Sequence, residues 1–364
     1  MDPLWQKSIT QTRAASVTPI INQDGLSFGG RPADPTGDVG LDYYLQAINA
    51  TTIAVLDKSD GSLVSEFNAN TLWNPLGEFS AGDPIILFDH EVERWVITEF
   101  TSPGGTASLL FGISEDSDPL GSYDVYAFVP PNFPDYPKWA IWNDYYIVTT
   151  NEEGPGSLHH YIFDRNAFLA GDAEVTMQRV EITGNSSTEA GFYVTTPVSW
   201  TGSTAPPDSD PIVMKINDSS WGEVANDALE VFTFDVDLEY TTTVTKTTLV
   251  TTPFDSYPCD LPTNFNFSCL SQGGASNGVD AIPEVVMNLP HYRNFGTHES
   301  IVLSFITDVT DGDNLSGIRW MELRRTTGDW TIYQEGTFAP DDGLHRFMSS
   351  ISMDQDGNIA LAFN

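Results

Sequence analysis

The stretch GDPIILFDHEVERWVITEF, at residues 82–100, decides the fold. A polar, proline-bearing approach leads into a short apolar run, a polar turn follows, and a second apolar run returns. The same order recurs in four later stretches that start near residues 136, 191, 292 and 345. Their starts lie roughly 50–55 residues apart, with one gap of about 100, which is close to the period of four-stranded propeller blades. We therefore predict an all-β fold, a β-propeller of about six blades.

Radial stacking explains why such a repeat folds, because a four-stranded sheet buries both of its faces only between two neighbouring sheets. The individual runs fit strands, since they are short, rich in β-branched and aromatic residues, and bounded by Gly, Pro, Asn or Asp. Only AFLAG, at residues 167–171, predicts a helical turn. The predicted strands are 85–89, 94–100, 108–114, 123–129, 144–150, 229–236, 300–308, 317–324, 329–336 and 358–364.

The repeat divides the chain into an N-terminal arm, residues 1–40, and a propeller domain, residues 41–364. A shorter unit at 43–67 opens the propeller domain. The last unit ends after one pair of strands, and this would leave a bare strand edge that proteins normally avoid. Either the N-terminal arm returns to complete this last blade, or further sequence completes it.

The composition excludes several classes of function. With 15 Lys and Arg against 51 Asp and Glu, the 364-residue chain has a formal net charge of −36. Because binding to a phosphate backbone needs a basic surface, we expect no nucleic-acid partner. No run of about 18 apolar residues occurs, so we expect no membrane insertion. Scarce lysine and abundant carboxylates suit an extracellular or cell-surface location, although the start, MDPLWQKSIT, has no signal-peptide pattern.

The two cysteines, Cys259 and Cys269, lie in a loop rich in Pro and Asn. With no third Cys and no neighbouring His, a zinc site there would lack ligands. We predict a disulfide between the two cysteines that pins the loop, and two unpaired thiols are the alternative.

Several longer strings resemble those of one bacterial family of secreted β-propeller proteins, which are hypothetical proteins with no established reaction. They include YRNFGTHES at 292–300 and QEGTFAPDDGLHRFM at 334–348, and the resemblance extends from about residue 38 to the C terminus. It implies the propeller fold and secretion. Members of that family continue for about one further blade, so the resemblance also implies a longer parent chain with seven blades.

The densest polar group in the sequence is formed by His291, Tyr292, Arg293, His298 and Glu299, just before an apolar run. Tyr, Arg and His together suit a polysaccharide lyase, in which Arg neutralises a uronate carboxylate and His or Tyr moves the adjacent proton. Tyr292, Arg293 and His298 are therefore the candidate catalytic residues. The alternative is structural: Arg293 and Glu299 form an ion pair between blades, and His298 bonds a backbone carbonyl.

Two further repeat units begin with charged side chains. Asp135 and Lys138 stand at the start of one unit, and His345 and Arg346 at the start of the last. If all units share one arrangement, these side chains line one axial mouth together with the candidate catalytic residues. The candidate binding residues are accordingly Asp135, Lys138, Glu299, His345 and Arg346, and bonding between blades is the alternative interpretation.

A carboxylate-rich loop, DVTDGDN at 308–314, makes Asp308, Asp311 and Asp313 candidate ligands of a metal ion. Calcium binds six to eight oxygens, and many of these are carboxylate oxygens. The loop lacks the EF-hand spacing, and Asp-Gly and Asp-Asn are also ordinary hairpin-turn residues. Calcium is the one cofactor that the sequence suggests, and a plain hairpin turn is the alternative.

No complete catalytic motif is present, since the chain has neither a G-x-S-x-G elbow nor a phosphate-binding glycine loop. We therefore expect an extracellular binding or scaffolding module whose partner is a carbohydrate or a surface protein. One alternative is an extracellular polysaccharide lyase or hydrolase with its site at the axial mouth. Another is a structural subunit or adhesin domain that self-associates.

Overall fold

The computed structural model describes residues 1–7, 19–27, 29–30, 32–49, 52–101, 107–152, 156–184, 191–208, 210–258, 270–271, 278–310 and 314–364. Within these ranges the regular structure is almost wholly β, in several four-stranded antiparallel sheets that follow one another along the chain. The prediction of an all-β, propeller-like fold is confirmed.

The first three sheets are simple meanders of consecutive strands. After a two-residue strand, β1 (Trp5–Gln6), the first sheet contains β2 (Thr36–Val39), β3 (Tyr43–Ile48), β4 (Thr52–Asp57) and β5 (Leu63–Asn68). A short helix, α1 (Asn70–Trp73), and a 3-10 turn (Asn74–Leu76) lead to the second sheet, β6 (Ser80–Asp89), β7 (Arg94–Thr101), β8 (Leu109–Ser114) and β9 (Tyr123–Phe128). The third sheet is β10 (Asp135–Trp142), β11 (Tyr145–Asn151), β12 (Ser157–Asp164) and β13 (Met177–Thr183), with α2 (Arg165–Ala170) between its last two strands.

The fourth and fifth sheets share one segment. β14 (Thr196–Pro197) opens the fourth sheet and β15 (Ser199–Trp200) joins the fifth. The fourth sheet continues with β16 (Ile212–Asn217), a 3-10 turn (Ser219–Trp221), β17 (Ala228–Asp235) and β18 (Thr243–Val250). The fifth sheet is β19 (His291–Asn294), β20 (Glu299–Asp308), β21 (Ser316–Arg325) and β22 (Thr331–Phe338), and a final hairpin is β23 (Ser350–Met353) and β24 (Ile359–Ala362).

Neighbouring sheets stack face to face in chain order. Phe111 of the second sheet lies 5.2 Å from Trp139 of the third, and His160 of the third lies 5.0 Å from Phe234 of the fourth, measured between ring centroids. β8 is buried along its whole length, because it has a sheet on each face, whereas the outermost strand β18 alternates between exposed and half-buried residues. Each fully buried aromatic side chain contributes roughly 1.5–3 kcal/mol, so stacking between sheets stabilises the fold.

The first strands of the sheets run in one common direction. Residues 196–200 lie parallel to β19, with Ser199 opposite His291, and the N–H of Ile141 in β10 donates to the Ser199 hydroxyl at 3.2 Å. The N–H of Phe88 in β6 donates to the carboxylate of Asp38 in β2 at 2.8 Å. Residues that begin these strands therefore lie at one end of the sheet stack, and residues that finish them lie at the other.

The N-terminal arm does not return to the last hairpin in the described part of the chain. Instead, β1 pairs in parallel with β22, the outer strand of the fifth sheet, and buried Asp2 forms a 2.9 Å ion pair with fully buried Arg319. The first sheet also starts earlier than predicted, because β2 at Thr36–Val39 precedes residue 41. Among the described residues, no helix has the length and apolarity needed to cross a membrane.

Candidate functional site

The chain enters the first strands through a repeated strained turn. At this point one residue per turn adopts a positive φ, which is unfavourable for residues with a side chain and often marks functional sites. These residues are Asp34 (39°), Asp83 (51°), Tyr136 (53°), Ile282 (48°) and Met348 (48°). The first four directly precede a proline. The turns bring side chains from separate sheets together where the first strands begin.

Four side chains in or beside these turns form what we call the carboxylate cluster. They are Asp34, Asp83, Asp135 and Lys138. The three carboxylates lie close enough to Lys138 for each charge to act on the ammonium group. Lys138 forms no ion pair within 4.0 Å with any described residue, and its Nζ lies 3.7 Å from the centroid of the Tyr136 ring. The positive charge of Lys138 therefore compensates the charges of all three aspartates, and it is not paired with any one of them.

The pKa values in the carboxylate cluster are shifted toward the neutral forms. Burial raises the pKa of Asp83 to about 6, and the Lys138 charge opposes that rise. Burial likewise raises the pKa values of Asp34 and Asp135 and lowers the pKa of Lys138. Near neutral pH the cluster can therefore both accept and donate protons and hydrogen bonds, which is typical of functional sites.

Neighbouring groups fix the orientation of the carboxylate cluster. Asn49 Nδ2 donates to the Asp34 carboxylate at 2.8 Å, and Asn151 hydrogen-bonds the Asp135 carboxylate. Phe192 stacks on Tyr136 at 4.4 Å between centroids, so Phe192 and Lys138 cover opposite faces of the Tyr136 ring. The lysine is held over the ring by cation–π attraction, and its Nζ atom also donates to the carbonyl of Pro137 at 3.4 Å.

A second group, His90, His291 and Arg293, lies where the first strands finish, and we call it the basic cluster. His291 and Arg293 alternate along β19, so both point away from the face that carries buried Tyr292. His291 Nδ1 lies 3.2 Å from the hydroxyl of Ser352 in β23. Burial, together with the charges of Arg293 and His90, lowers the pKa of His291 to about 4.

The two clusters lie at opposite ends of the first strands, so the predicted single mouth is wrong. Along the strand direction, Ile141 lies at the same height as Ser199, to which it donates a hydrogen bond, and Ser199 is paired with His291. Arg293 therefore lies about five residues further along the strand direction than Lys138, or roughly 16 Å at ~3.3 Å per residue. The sequence repeat was aligned at residue 292, but the strained turn that matches Tyr136 is at Ile282.

Tyr292, His298 and Glu299 do not converge with either cluster. Tyr292 is fully buried among aromatic rings, and its hydroxyl donates to Glu299 at 2.8 Å. Glu299 pairs with Arg325 at 2.7 Å, so the predicted Arg293–Glu299 ion pair is wrong as well. His298 is half-buried in the β19–β20 turn, where its ring stacks on Phe295 at 5.0 Å between centroids. None of the three is placed for proton transfer at the carboxylate cluster.

The remaining predicted site residues lie near the fifth sheet. The Nδ1 atom of His345 accepts from the Ser316 N–H at 3.3 Å, and Arg346 pairs with Asp342 at 2.6 Å. Asp308 accepts from both the N–H and the hydroxyl of Thr310 at 2.9 Å, as in an ordinary turn. Asp311, Asp313, Cys259 and Cys269 lie outside the described residues, so the calcium site and the disulfide stay predictions.

Sequence reasoning missed three of the residues that matter here, Asp34, Asp83 and His90. A signal for the first two was present, because Asp34-Pro35, Asp83-Pro84, Tyr136-Pro137 and Ile282-Pro283 repeat one dipeptide pattern at the start of successive units. His90 follows a strand and carried no such signal.

Comparisons with known proteins give only distant likenesses. No family model matches the chain, and no curated protein matches it. It is similar to the solved structure of a protein named YjhT, at 10% identity over 88% of this chain and 86% of that chain, with a TM-score of 0.38. It is also similar to an apocarotenoid oxygenase mutant from Synechocystis, at 10% identity, 91% and 74% coverage and a TM-score of 0.40. A GH43 β-1,3-galactosidase matches at 12% identity, 83% and 58% coverage and a TM-score of 0.36. These values carry no argument about function, and the resemblance to secreted propeller proteins stays a prediction.

Proposed function

We propose that this protein is an extracellular module that binds carbohydrate at the carboxylate cluster. The observation that carries this proposal is the meeting of three aspartates and one lysine, none in a close ion pair, where three first strands begin. Sugar hydroxyls both donate and accept hydrogen bonds. Carboxylates accept from them, and an ammonium group donates to them, so the cluster offers the polar groups that fix an oligosaccharide.

The architecture supports this proposal in a second way. We propose that the five sheets and the final hairpin close into a six-bladed propeller, with the carboxylate cluster at one end of its axis. His90 of the second sheet lies within electrostatic range of both Asp38 of the first and His291 of the fifth. A ring gathers such side chains around one axis, and ligands of propellers bind at that position.

The test is a binding measurement with neutral oligosaccharides. Titration calorimetry on the whole chain, after a screen of immobilised glycans, should give a Kd that rises about tenfold or more in Asp135→Asn, because a charge-assisted hydrogen bond is lost. Asp172→Asn, at an exposed aspartate outside the cluster, is the matched control and should bind as the wild type does. If no neutral glycan binds, or if Asp135→Asn binds equally well, the proposal is wrong.

Hydrolysis of a glycosidic bond is a second candidate function, and the pKa of Asp83 favours it. A carboxyl group with a pKa of about 6 is partly protonated near neutral pH, as a general acid must be. Release of reducing ends from a bound glycan would establish this function. Asp83→Asn should then abolish release while binding persists.

The lyase alternative receives no support from the arrangement of Tyr292, Arg293 and His298. A proton-transferring Tyr needs an accessible hydroxyl, whereas that of Tyr292 is buried and bonded to Glu299. The adhesin alternative remains testable as the oligomeric state, since strand edges at the final hairpin could pair with another copy.

A further inference from the structure

We propose that the basic cluster is a second ligand site, which binds the carboxylate group of an acidic sugar. This inference concerns the opposite end of the first strands from the carboxylate cluster. The site is argued from its own residues, and the choice of a sugar as its ligand rests on the proposed extracellular function. It rests on one arginine without a partner, two histidines beside it, and a backbone surface shaped to receive the arginine.

Arg293 is exceptional among the arginines of the described residues. Six of the other seven form ion pairs with carboxylates, and Arg94 donates to the backbone carbonyl of Leu169 at 3.2 Å. Arg293 makes neither an ion pair nor a hydrogen bond with a described residue, and its Nε atom is buried without a partner. A buried guanidinium hydrogen without an acceptor is costly, so the site is suited to an incoming anion.

The backbone around Arg293 is shaped for close approach. Gly202 has a φ of +89°, and a Cβ atom built on it would lie 2.8 Å from Nη1 of Arg293. The guanidinium group therefore lies close to the backbone at Gly202, where the positive φ favours glycine. None of the described residues accepts a hydrogen bond from Arg293, so its N–H groups remain available to a ligand.

The two histidines extend the donor surface. His90 stands at the end of β6, with its ring 5.0 Å from the Phe88 ring in an edge-to-face arrangement. If Ser352 donates to Nδ1 of His291, the proton of that neutral imidazole is on Nε2, where it can donate to a ligand. Arg293, His291 and His90 together offer donors from two different sheets.

The nearby acids are already bonded elsewhere and do not neutralise Arg293. Asp89 pairs with Arg165 at 2.7 Å, and so does Glu91. Asp38 accepts from the N–H groups of Phe88 and Val39. Asp354 is the one acid among the described residues that acts on the charge of Arg293, and its carboxylate already accepts from Asn358 and from backbone N–H groups.

The chemistry of the cluster selects a singly charged, planar anion. A carboxylate accepts two parallel hydrogen bonds from a guanidinium group, and neutral His291 adds a donor without adding charge. A doubly charged phosphate would meet repulsion from Asp38 and Asp354 with little further positive charge to compensate. In a module that meets extracellular polymers, the ligand is a sugar that carries a carboxylate, which is a uronate.

The experiment is titration calorimetry of the whole chain with sodium glucuronate, with glucose as the uncharged match. We expect millimolar or tighter binding of glucuronate, no binding of glucose at the basic cluster, and a loss of affinity of about tenfold or more in Arg293→Gln. Arg324→Gln, at a partly exposed arginine of the fifth sheet, is the control and should leave the affinity unchanged. Asp354→Asn should tighten binding about twofold to threefold, because it removes a repulsive charge.

Two further titrations distinguish a simple carboxylate, a single uronate sugar and a uronate polymer as the ligand. Acetate should compete weakly if the carboxylate alone is recognised, and polygalacturonate should bind more tightly than the monomer if a polymer is the ligand. The proposal is overturned if glucuronate fails to bind the wild type at about 20 mM, or if Arg293→Gln binds it equally well. Asp135→Asn should leave glucuronate binding intact, so failure here is distinguishable from failure of the carbohydrate site at the carboxylate cluster.

Discussion

The carboxylate cluster and the basic cluster use the same strands to opposite effect. In the first, three acids share one lysine that has no close partner. In the second, one arginine has no hydrogen-bond or ion-pair partner among the described residues, while the acids around it are bonded elsewhere. In a chain with a net charge of −36, an acidic group could arise by composition alone, but an unpaired arginine could not. The comparison shows that a charged side chain without a close ion-pair partner indicates a candidate site better than the sign of its charge does.

The largest expected effect concerns the lysine of the carboxylate cluster. Lys138→Met should lower the free energy of unfolding at pH 7 by about 3 kcal/mol, because it leaves partly buried carboxylates without their counter-charge. The loss should shrink at pH 5, where Asp83, with a pKa of about 6, is protonated. Urea unfolding at both pH values measures this. Lys58→Met, at an exposed lysine, should cost far less, and an equal loss at both pH values would contradict the prediction.

A smaller effect should appear at the basic cluster, with a pH dependence of its own. The pKa of His291 is about 4 in the fold and ordinarily 6.5, so between these values the unfolded chain binds more protons and acidification destabilises the fold. His291→Gln should therefore remove about 2 kcal/mol of the stability that the wild type loses between pH 7 and pH 4.5. The measurement is urea unfolding across that range. A variant that loses as much as the wild type would show that His291 does not titrate in this way.

The smallest effect should carry the opposite sign. The pKa of Asp83 is about 6 in the fold against 3.8 ordinarily, so the folded chain binds more protons and rising pH destabilises it between these values. Asp83→Asn should raise the free energy of unfolding by about 1 kcal/mol at pH 7 and by less at pH 4.5, after allowance for solvent contact. Thermal unfolding at both pH values tests it. A variant less stable than the wild type at pH 7 would show that the Asp83 charge stabilises the fold.

Long strands could be predicted from the sequence, and short ones could not. The predicted run 300–308 corresponds to β20 at Glu299–Asp308, and AFLAG at 167–171 corresponds to α2 at Arg165–Ala170. The stretch that starts near residue 191 was recognised as a repeat unit, but its division into the two-residue strands β14 and β15 was not, because so few residues show no alternation of polar and apolar side chains. Their position is fixed by pairing with distant strands, which local sequence does not reveal.

The site could be predicted only in part, for a reason of register. Asp135 and Lys138 were identified as binding candidates, and the structure places both in the carboxylate cluster. Arg293 was placed at the same end because its unit was counted from residue 292. The matching turn is at Ile282, and Arg293 lies about ten residues further along the chain, at the other end of the stack. When the spacing of a repeat varies, the sequence does not determine at which end of the sheet stack a given residue lies.

The segment Thr196–Trp200 has a consequence for how the chain is made. Its first residues pair with β16, and its last residues pair with β19, so a single stretch of backbone joins two sheets. As the ribosome releases the chain, the fourth sheet emerges with half of this stretch still waiting for partners. Its hydrogen bonds are completed only when His291 and Tyr292 have been synthesised. The fourth and fifth sheets must therefore fold together. A chain cut between them would leave the backbone of Ser199 and Trp200 without its strand partner.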